Sequence, residues 1–168
     1  MKKVDKRRRR EGKTDYKKRI NLLKGESPRI ILRKTNRYLI TQYVKSIEAQ
    51  DKIEIGLNSS ALLEYGWPES AVGSLKSVTA AYLLGMLLGK KISDKKSVPI
   101  IDLGMLKIVH KSSIFGFIKG LIDSGIKIDT KEGIFPEESR IKGEHLKNKV
   151  PFEEIKSKIM SSKGEKAK

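Results

Sequence analysis

The stretch from Arg29 to Leu57, RIILRKTNRYLITQYVKSIEAQDKIEIGL, decides the fold of this chain. Apolar and polar residues alternate in it with the period of a β-strand that buries one face. The alternation predicts strands at 29–34, 38–47 and 52–57. The polar segments Thr35-Asn36-Arg37 and Gln50-Asp51 predict the two turns between them, since Asn tolerates the left-handed region. The stretch is therefore predicted to form a three-stranded β-meander.

After the meander the pattern changes to that of helices. A short helix is predicted at 59–65, because Gly66 follows it and ends helices well. The main helix is predicted at 78–90, with the Ser77 hydroxyl as its N-cap. Small residues recur every fourth position in this helix, which predicts close approach of a sheet or a second helix along one stripe, formed by Ala81, Gly85 and Gly89.

A second strand-and-helix pair follows the main helix. The apolar segment 98–103 reads as a fully buried strand, which favours parallel pairing after a helical crossover. A helix is predicted from Ser112 or Ser113 to Ser124, with Gly125 as its C-cap. The resulting order, β-β-β-α-β-α, predicts an α/β protein whose mixed sheet is covered by helices.

Segments at both ends flank this core, which we assign to residues 29–128. Residues 1–28 form a basic N-terminal arm and a short helix: residues 1–13 are too polar to fold alone and are expected to be disordered when free. The helix is predicted to start at Thr14 or Asp15 and to run through Lys24.

Residues 129–168 are assigned to a C-terminal extension. A short helix is predicted at 136–146, with a polar content that indicates packing on a partner. A further helix is predicted to start at Pro151, because proline suits the first position of a helix. The last eight residues are mostly Lys, Ser and Gly and are expected to fray.

The positive charge of the chain lies at its two ends. Residues 2–37 hold 16 Lys and Arg against four acids, residues 38–139 are neutral, and residues 140–168 carry a net charge of +5 within a total of +17. Such an asymmetry indicates a polyanionic partner. Membrane binding is disfavoured because the basic run 6–13 lacks the bulky apolar residues that it needs. Nucleic acid is therefore the predicted partner.

Catalytic chemistry finds little support in the sequence. The element order resembles that of ribonuclease-H-like nucleases, but those enzymes need clustered carboxylates for two Mg²⁺ ions. The first strand here carries bases instead, and Asp102 and Glu54 have no evident partners. His110 and His145 lack metal-ligand spacing, cysteine is absent, and phosphate-binding loops are missing. No catalytic residue, metal or cofactor is predicted; a Mg²⁺-dependent nuclease and a non-specific nucleic-acid-compacting protein remain the alternatives.

Two groups of residues suit nucleic-acid binding. The four consecutive guanidiniums of Arg7–Arg10 repel one another in isolation, whereas binding to phosphates releases counterions. Tyr38 follows a turn of basic residues and fits either a core position or a stacking platform for an unpaired base. Tyr43 leaves the same two alternatives open.

Five motifs in order resemble the archaeal form of the L-eighteen family of large-subunit ribosomal proteins: RRRREGKTDYKKRINLLK (7–24), PRIILRKTNRYLITQ (28–42), AAYLLGMLLGKK (80–91), IIDLG (100–104) and RIKGEH (140–145). The resemblance implies a non-enzymatic translation protein in the cytoplasm, located in the large ribosomal subunit. It implies binding to 5S rRNA and 23S rRNA beside an L-five-family protein. The implied fold is a three-layer α/β/α arrangement with ribonuclease-H-like topology and without its acids.

The resemblance also implies which residues contact RNA. The family's contacts fall on the N-terminal arm, on the first hairpin and on the loop before the main helix. In this chain they correspond to Arg7, Arg8, Arg9, Arg10, Lys13, Tyr16, Arg19, Arg29, Arg33, Lys34, Asn36, Arg37, Tyr38, Gln42 and Ser77. The chain departs from the family at the loop, where Lys76-Ser77 replace the usual Gly-Asn.

Overall fold

The computed structural model describes residues 4–48, 50–92, 98–131, 133–146 and 148–162. The strands are β1 (Arg29–Lys34), β2 (Leu39–Ile47), β3 (Gln50–Asn58) and β4 (Ile100–Asp102). The α-helices are α1 (Arg7–Arg10), α2 (Tyr16–Lys24), α3 (Val78–Lys91), α4 (Ser113–Asp123), α5 (Glu138–Lys142) and α6 (Phe152–Ser161). Two 3-10 helices, Ser59–Tyr65 and Glu69–Ser74, connect β3 to α3. The predicted order β-β-β-α-β-α is confirmed.

The sheet is mixed, as the sequence predicts. Its strand order is β3-β2-β1-β4. β1 and β2 pair antiparallel, from Arg29 opposite Val44 to Lys34 opposite Leu39. β4 pairs parallel to β1, with Arg29 opposite Ile100. The chain reaches that parallel position through α3, which is the helical crossover that parallel neighbours require.

Two predictions about strands are wrong in detail. Ile47 pairs with Gln50, so the second hairpin turns between these two residues and not at Gln50-Asp51. Glu48 supplies the turn by adopting a left-handed φ of 50°, and Asp51 becomes part of β3. The strand predicted as fully buried at 98–103 is the three-residue β4, where Ile100 is half-buried, because β4 forms an edge of the sheet.

The main core lies between one face of the sheet and the helices α3 and α4. Ile30 and Leu32 of β1 pack there with Leu84 of α3 and with Phe117 of α4, and all four are buried. Ser77 begins α3 as predicted, because its Oγ accepts a hydrogen bond from Ala80 N at 3.2 Å.

Glycines allow α3 and α4 to meet backbone to backbone. A Cβ placed on Gly85 of α3 would lie 2.2 Å from the carbonyl oxygen of Phe117, and one on Gly120 of α4 would lie 2.1 Å from that of Tyr82. No side chain fits at such distances. The predicted small-residue stripe of α3 is therefore the contact line with the second helix.

The opposite face of the sheet is partly covered by α2. Lys18 Nζ of α2 donates to the Gly104 carbonyl, which follows β4, at 3.4 Å. Arg19 of α2 lies 3.6 Å from the Asp51 carboxylate of β3. The sheet thus separates α2 from α3 and α4, in agreement with the predicted three-layer α/β/α fold.

The C-terminal extension completes a second core on the outer side of α3. Phe152, Ile155 and Ile159 of α6 are buried against α3 residues such as Leu83 and Leu87. The short helix expected at 136–146 to pack on a partner is the five-residue α5, and its Ile141 is buried in the same core.

Burial and a hydrogen bond to Asp123 raise the pKa of Tyr82 at the edge of this region. Of the last eight residues, which were expected to fray, Ser161 is the last residue of α6 and Ser162 is its C-cap, and positions 163–168 lie outside the described residues.

The N-terminal arm has local order that the sequence prediction missed. Residues 7–10, expected to be disordered, form the single helical turn α1. The ion pairs Arg7–Glu11 and Arg9–Asp5, each between residues four apart, accompany the turn. Such pairs offset part of the repulsion between adjacent guanidiniums. In the described part of the chain, no helix combines the length and hydropathy of a membrane span.

We predict that Gly85→Ala destabilises the protein by about 2 kcal/mol, because the new methyl group meets a backbone carbonyl that side-chain rotation does not relieve. This clash outweighs the gain of about 1 kcal/mol that alanine brings to a helix. Urea unfolding followed by circular dichroism measures the change. Gly73→Ala is the control, since nothing lies within 4 Å of its Cβ position, and we expect a shift below about 0.5 kcal/mol. An unchanged midpoint for Gly85→Ala contradicts the close packing of α3 on α4.

Candidate nucleic-acid interface

The arm presents its arginines to solvent. Arg7, Arg8, Arg9 and Arg10 are all exposed. Arg8 is fixed further by a hydrogen bond of 2.9 Å from its Nε to Thr14 Oγ1. The ion pairs of Arg7 and Arg9 are solvent-exposed, so they contribute little to stability and are easily exchanged for phosphate.

The start of α2 carries the next predicted contacts. Asp15 caps the helix, because its Oδ1 accepts from the backbone N–H groups of Lys17 and Lys18 at 3.0 and 3.2 Å. The Lys6 ammonium lies 4.7 Å above the Tyr16 ring, a cation–π contact that covers that ring in the free protein. Lys13 Nζ lies 2.8 Å from the Glu11 carboxylate.

A cleft of about 110 Å³ joins the arm to the sheet. The arm, α2, β1 and the loop after β4 each contribute to its wall. Its lining residues are Arg8, Lys13, Thr14, Asp15, Lys18, Arg19, Leu22, Arg29, Arg33, Asp102 and Gly104. Six of these are basic and two are acidic, so the wall carries a net charge of +4. We call this site the basic cleft; it unites five of the predicted contact residues.

Arg29 has a structural role that the sequence prediction did not anticipate. It is only 2% exposed. Its Nη2 donates to Ser46 Oγ at 2.9 Å and to Asp51 Oδ1 at 2.5 Å. The same Asp51 Oδ1 also accepts a hydrogen bond from the Ser46 hydroxyl at 2.7 Å. A buried guanidinium requires such partners. We therefore remove Arg29 from the proposed RNA contacts and assign it to the support of the cleft.

Arg33 keeps access to solvent but is held on one side. Its Nη1 donates to the carbonyls of Leu32 and Asp102 at 2.9 and 2.8 Å, and its Nη2 donates to Asp102 Oδ2 at 3.1 Å. The guanidinium lies over Gly104, where a Cβ would come within 2.9 Å of Arg33 Cζ. The side chain is 44% exposed, so part of it faces the basic cleft.

The tip of the first hairpin forms a second basic surface, distinct from the cleft. Lys34, Asn36 and Arg37 are exposed there. Thr35 closes the turn, since its N and Oγ1 both donate to the Tyr38 carbonyl, at 2.9 and 2.8 Å. The turn contacts the loop before α3, because Lys76 Nζ donates to the Asn36 carbonyl at 2.8 Å.

The structure places Tyr43 in the core and leaves Tyr38 partly accessible, so the stacking alternative stays open for Tyr38 alone. Tyr43 is buried in the main core, and Tyr38 is half-buried against the second core. Gln42 is half-buried on the sheet face that carries Arg29, opposite Ile31. Ser77, the last predicted contact, uses its hydroxyl to cap α3. These four residues therefore offer less free polar surface than the arm does.

Sequence reasoning missed Lys18, Asp51 and Lys76 as members or supports of these surfaces. Lys18 follows Asp15 by three residues on α2, a spacing that places both on the same side of the helix. Asp51 was predicted to lie in a turn and not in β3, so its contact with Arg29 across the sheet was not expected. Lys76 meets Asn36 across 40 positions of sequence, and no local pattern signals such a contact.

The acid at the end of β4 is committed to hydrogen bonds. Asp102 Oδ1 accepts from Gly104 N at 2.8 Å, while Oδ2 accepts from Arg33. Over the described ranges, no group of three or more His, Cys, Asp or Glu residues is arranged to hold a metal ion. β1 presents arginines at the positions where a two-metal nuclease needs a carboxylate.

A mixed α/β sheet with a cationic cleft on one side defines a nucleic-acid-binding α/β protein. Residues 2–101 match the family described as ribosomal large subunit proteins 60S L5 and 50S L18. The chain belongs to this family, so it is a large-subunit ribosomal protein. The family confirms the predicted resemblance and the predicted location, in the large subunit of the cytoplasmic ribosome.

Archaeal relatives named large ribosomal subunit protein uL18 agree with this assignment. The Korarchaeum cryptofilum protein is 40% identical over 146 residues, which cover 86% of this chain and 72% of the relative. The Methanosphaera stadtmanae protein is 39% identical over 145 residues, with 86% and 73% covered. The Methanoregula boonei protein is 38% identical over 141 residues, with 83% and 79% covered.

We predict that Asp51→Ala destabilises the protein by about 2–3 kcal/mol, since it leaves the Arg29 guanidinium buried without its carboxylate. Thermal and urea unfolding measure the loss. Glu11→Ala is the control, because it removes exposed pairs with Arg7 and Lys13 and is expected to cost below about 0.5 kcal/mol. Equal stability of the two variants contradicts a structural role for the buried pair.

Proposed function

We propose that this protein binds 5S rRNA and attaches it to 23S rRNA in the large ribosomal subunit. The observation that carries the proposal is the basic cleft, where guanidiniums from the arm, from α2 and from β1 meet in one wall. Membership of the ribosomal family supports rRNA as the polyanion. The protein acts as a structural RNA-binding component and not as an enzyme.

Charge and rigidity are divided between two parts of the interface. The exposed arginines of α1 supply affinity by displacing counterions from phosphates. The cleft and the hairpin tip supply fixed geometry, because they are attached to β1 and to the start of α3. Folded RNA is recognised largely by backbone shape, and such recognition needs cations at fixed positions.

The remaining proposed contacts fall into two sets. The cleft and arm carry Arg7, Arg8, Arg9, Arg10, Lys13, Tyr16, Arg19 and Arg33. The hairpin and the loop before α3 carry Lys34, Asn36, Arg37, Tyr38, Gln42 and Ser77, to which Lys76 is added by its contact with Asn36. We propose that these two sets of residues contact 5S rRNA and 23S rRNA. We also propose that the protein lies beside an L-five-family protein in the large subunit.

We predict that replacing Arg7–Arg10 by alanine makes the plot of log binding constant against log salt concentration less steep. The magnitude of its negative slope is expected to fall by up to about three, since each phosphate contact contributes roughly 0.7–0.9 to it. Filter binding to 5S rRNA at several salt concentrations measures it. The control replaces Lys90, Lys91, Lys127 and Lys131 by alanine, which removes the same charge away from the cleft and is expected to change the slope by less than about one.

The same assay separates the proposal from its alternatives. Wild-type protein is expected to prefer 5S rRNA over a scrambled RNA of equal length by at least about a thousandfold, the lower end of the specificity ratios in nucleic-acid recognition. Equal binding to 5S rRNA, scrambled RNA and duplex DNA identifies a non-specific compacting protein instead. Mg²⁺-dependent cleavage of an RNA–DNA hybrid that Asp102→Asn abolishes identifies a nuclease.

A further inference from the structure

The basic cleft contains an acid whose presence the net charge does not explain. Asp102 lies in the wall, and its side chain is only 10% exposed. A carboxylate beside a site for a polyanion repels the ligand, and at this depth solvent screens it weakly. Attraction to a polyanion therefore does not explain the Asp102 carboxylate. Its hydrogen bonds indicate a different role.

Asp102 holds one guanidinium from two directions. Arg33 donates to both the backbone carbonyl and the carboxylate of Asp102, at 2.8 and 3.1 Å. The carboxylate is itself fixed by Gly104 N at 2.8 Å. Gly104 also has a left-handed φ of 58°, a conformation that favours glycine at this turn. The arginine is therefore docked on a rigid support.

The docked guanidinium keeps donors for a ligand. Arg33 has five N–H groups, and its three hydrogen bonds use both groups on Nη1 and one on Nη2. The Nε–H and the second Nη2–H are the pair that a phosphate accepts in a two-bond contact. An arginine already held in place loses less conformational entropy when that contact forms.

The rest of the wall suits a tetrahedral oxyanion. Arg8 is held by Thr14, Lys18 is held by the Gly104 carbonyl, and Arg19 lies beside Asp51. Arg8 comes from α1, whereas Lys18 and Arg19 are adjacent residues of α2, and each of the three cations has a neighbour that holds it. A volume of about 110 Å³ accommodates several water molecules or one phosphate group.

We propose that the basic cleft receives a single phosphate group of the RNA backbone and that Asp102 is a positioning residue that docks Arg33 toward it. The inference rests on the proposed function for the identity of the RNA. It goes beyond that function in assigning one phosphate to one cleft, and in assigning an acid to the RNA-binding machinery.

Asp102→Asn and Asp129→Asn test the inference as a matched pair. Each raises the net charge by one, and Asp129 is exposed and is not among the residues that line the cleft. Charge alone predicts slightly tighter binding of any RNA by both variants. Positioning predicts that Asp102→Asn binds 5S rRNA about fivefold to tenfold more weakly, with scrambled RNA unchanged or tighter. If the two variants behave alike, the role of Asp102 is overturned.

A double-mutant cycle separates positioning from general structural damage. Asp102 acts through Arg33, so Asp102→Asn is expected to have no further effect on 5S rRNA binding once Arg33→Ala is present. Additive losses indicate that Asp102 supports the fold in another way and overturn the proposal. Thermal unfolding of each variant, measured in the same buffer, shows whether the protein remains folded at the assay temperature.

Inorganic phosphate provides a test that does not depend on 5S rRNA. The Arg33 Nε–Hε resonance of the full chain is expected to shift on titration with phosphate but not with chloride at equal ionic strength. Asp102→Asn is expected to reduce that shift at least threefold. If the wild-type protein responds to phosphate but does not prefer 5S rRNA, the proposed function is overturned and the phosphate site in the cleft still stands. Preference for 5S rRNA without a phosphate response overturns the cleft alone.

Discussion

The ion pair of Arg29 and Asp51 is the constraint on which the side of the molecule with the basic cleft depends. It lies on the face of the sheet opposite the main core and connects β1 with β3 across β2. Because Arg29 is buried, its charge requires the carboxylate, and the register of the two hairpins brings Asp51 to it. The same carboxylate also lies 3.6 Å from Arg19 of α2, so the pair is in contact with the helix that covers this face. The floor of the basic cleft is built on it.

The two acids of this face, Asp51 and Asp102, have related roles at different depths. Asp51 neutralises a buried guanidinium, whereas Asp102 orients one that remains partly exposed. A surface of high positive charge density needs both, because like charges at close range otherwise separate. The net charge of +17 describes the attraction to a polyanion, but the arrangement of cations that an RNA meets is determined by these carboxylates.

Local patterns predicted the elements well and the long-range contacts poorly. β1 has its predicted bounds because alternation and flanking turn residues agree there, and α3 begins at Ser77 because a hydroxyl cap is a local feature. Arg29 was named as an RNA contact by the resemblance, and no local pattern signals its burial, which depends on Asp51, 22 positions away. Alternation also fails to locate the turn at Glu48, where a non-glycine residue takes the left-handed region.

The position of α6 near the end of the chain bears on the order in which parts of the protein fold during synthesis. Every residue that lines the basic cleft precedes residue 105, whereas the second core needs α6, at Phe152–Ser161, to cover the outer side of α3. Chains fold from the N-terminus as they are synthesised. The residues of the basic cleft are thus synthesised while the apolar side of α3 is still uncovered by α6. A polyanion bound to the cleft during that interval would stabilise the nascent chain before its own C-terminal helix does.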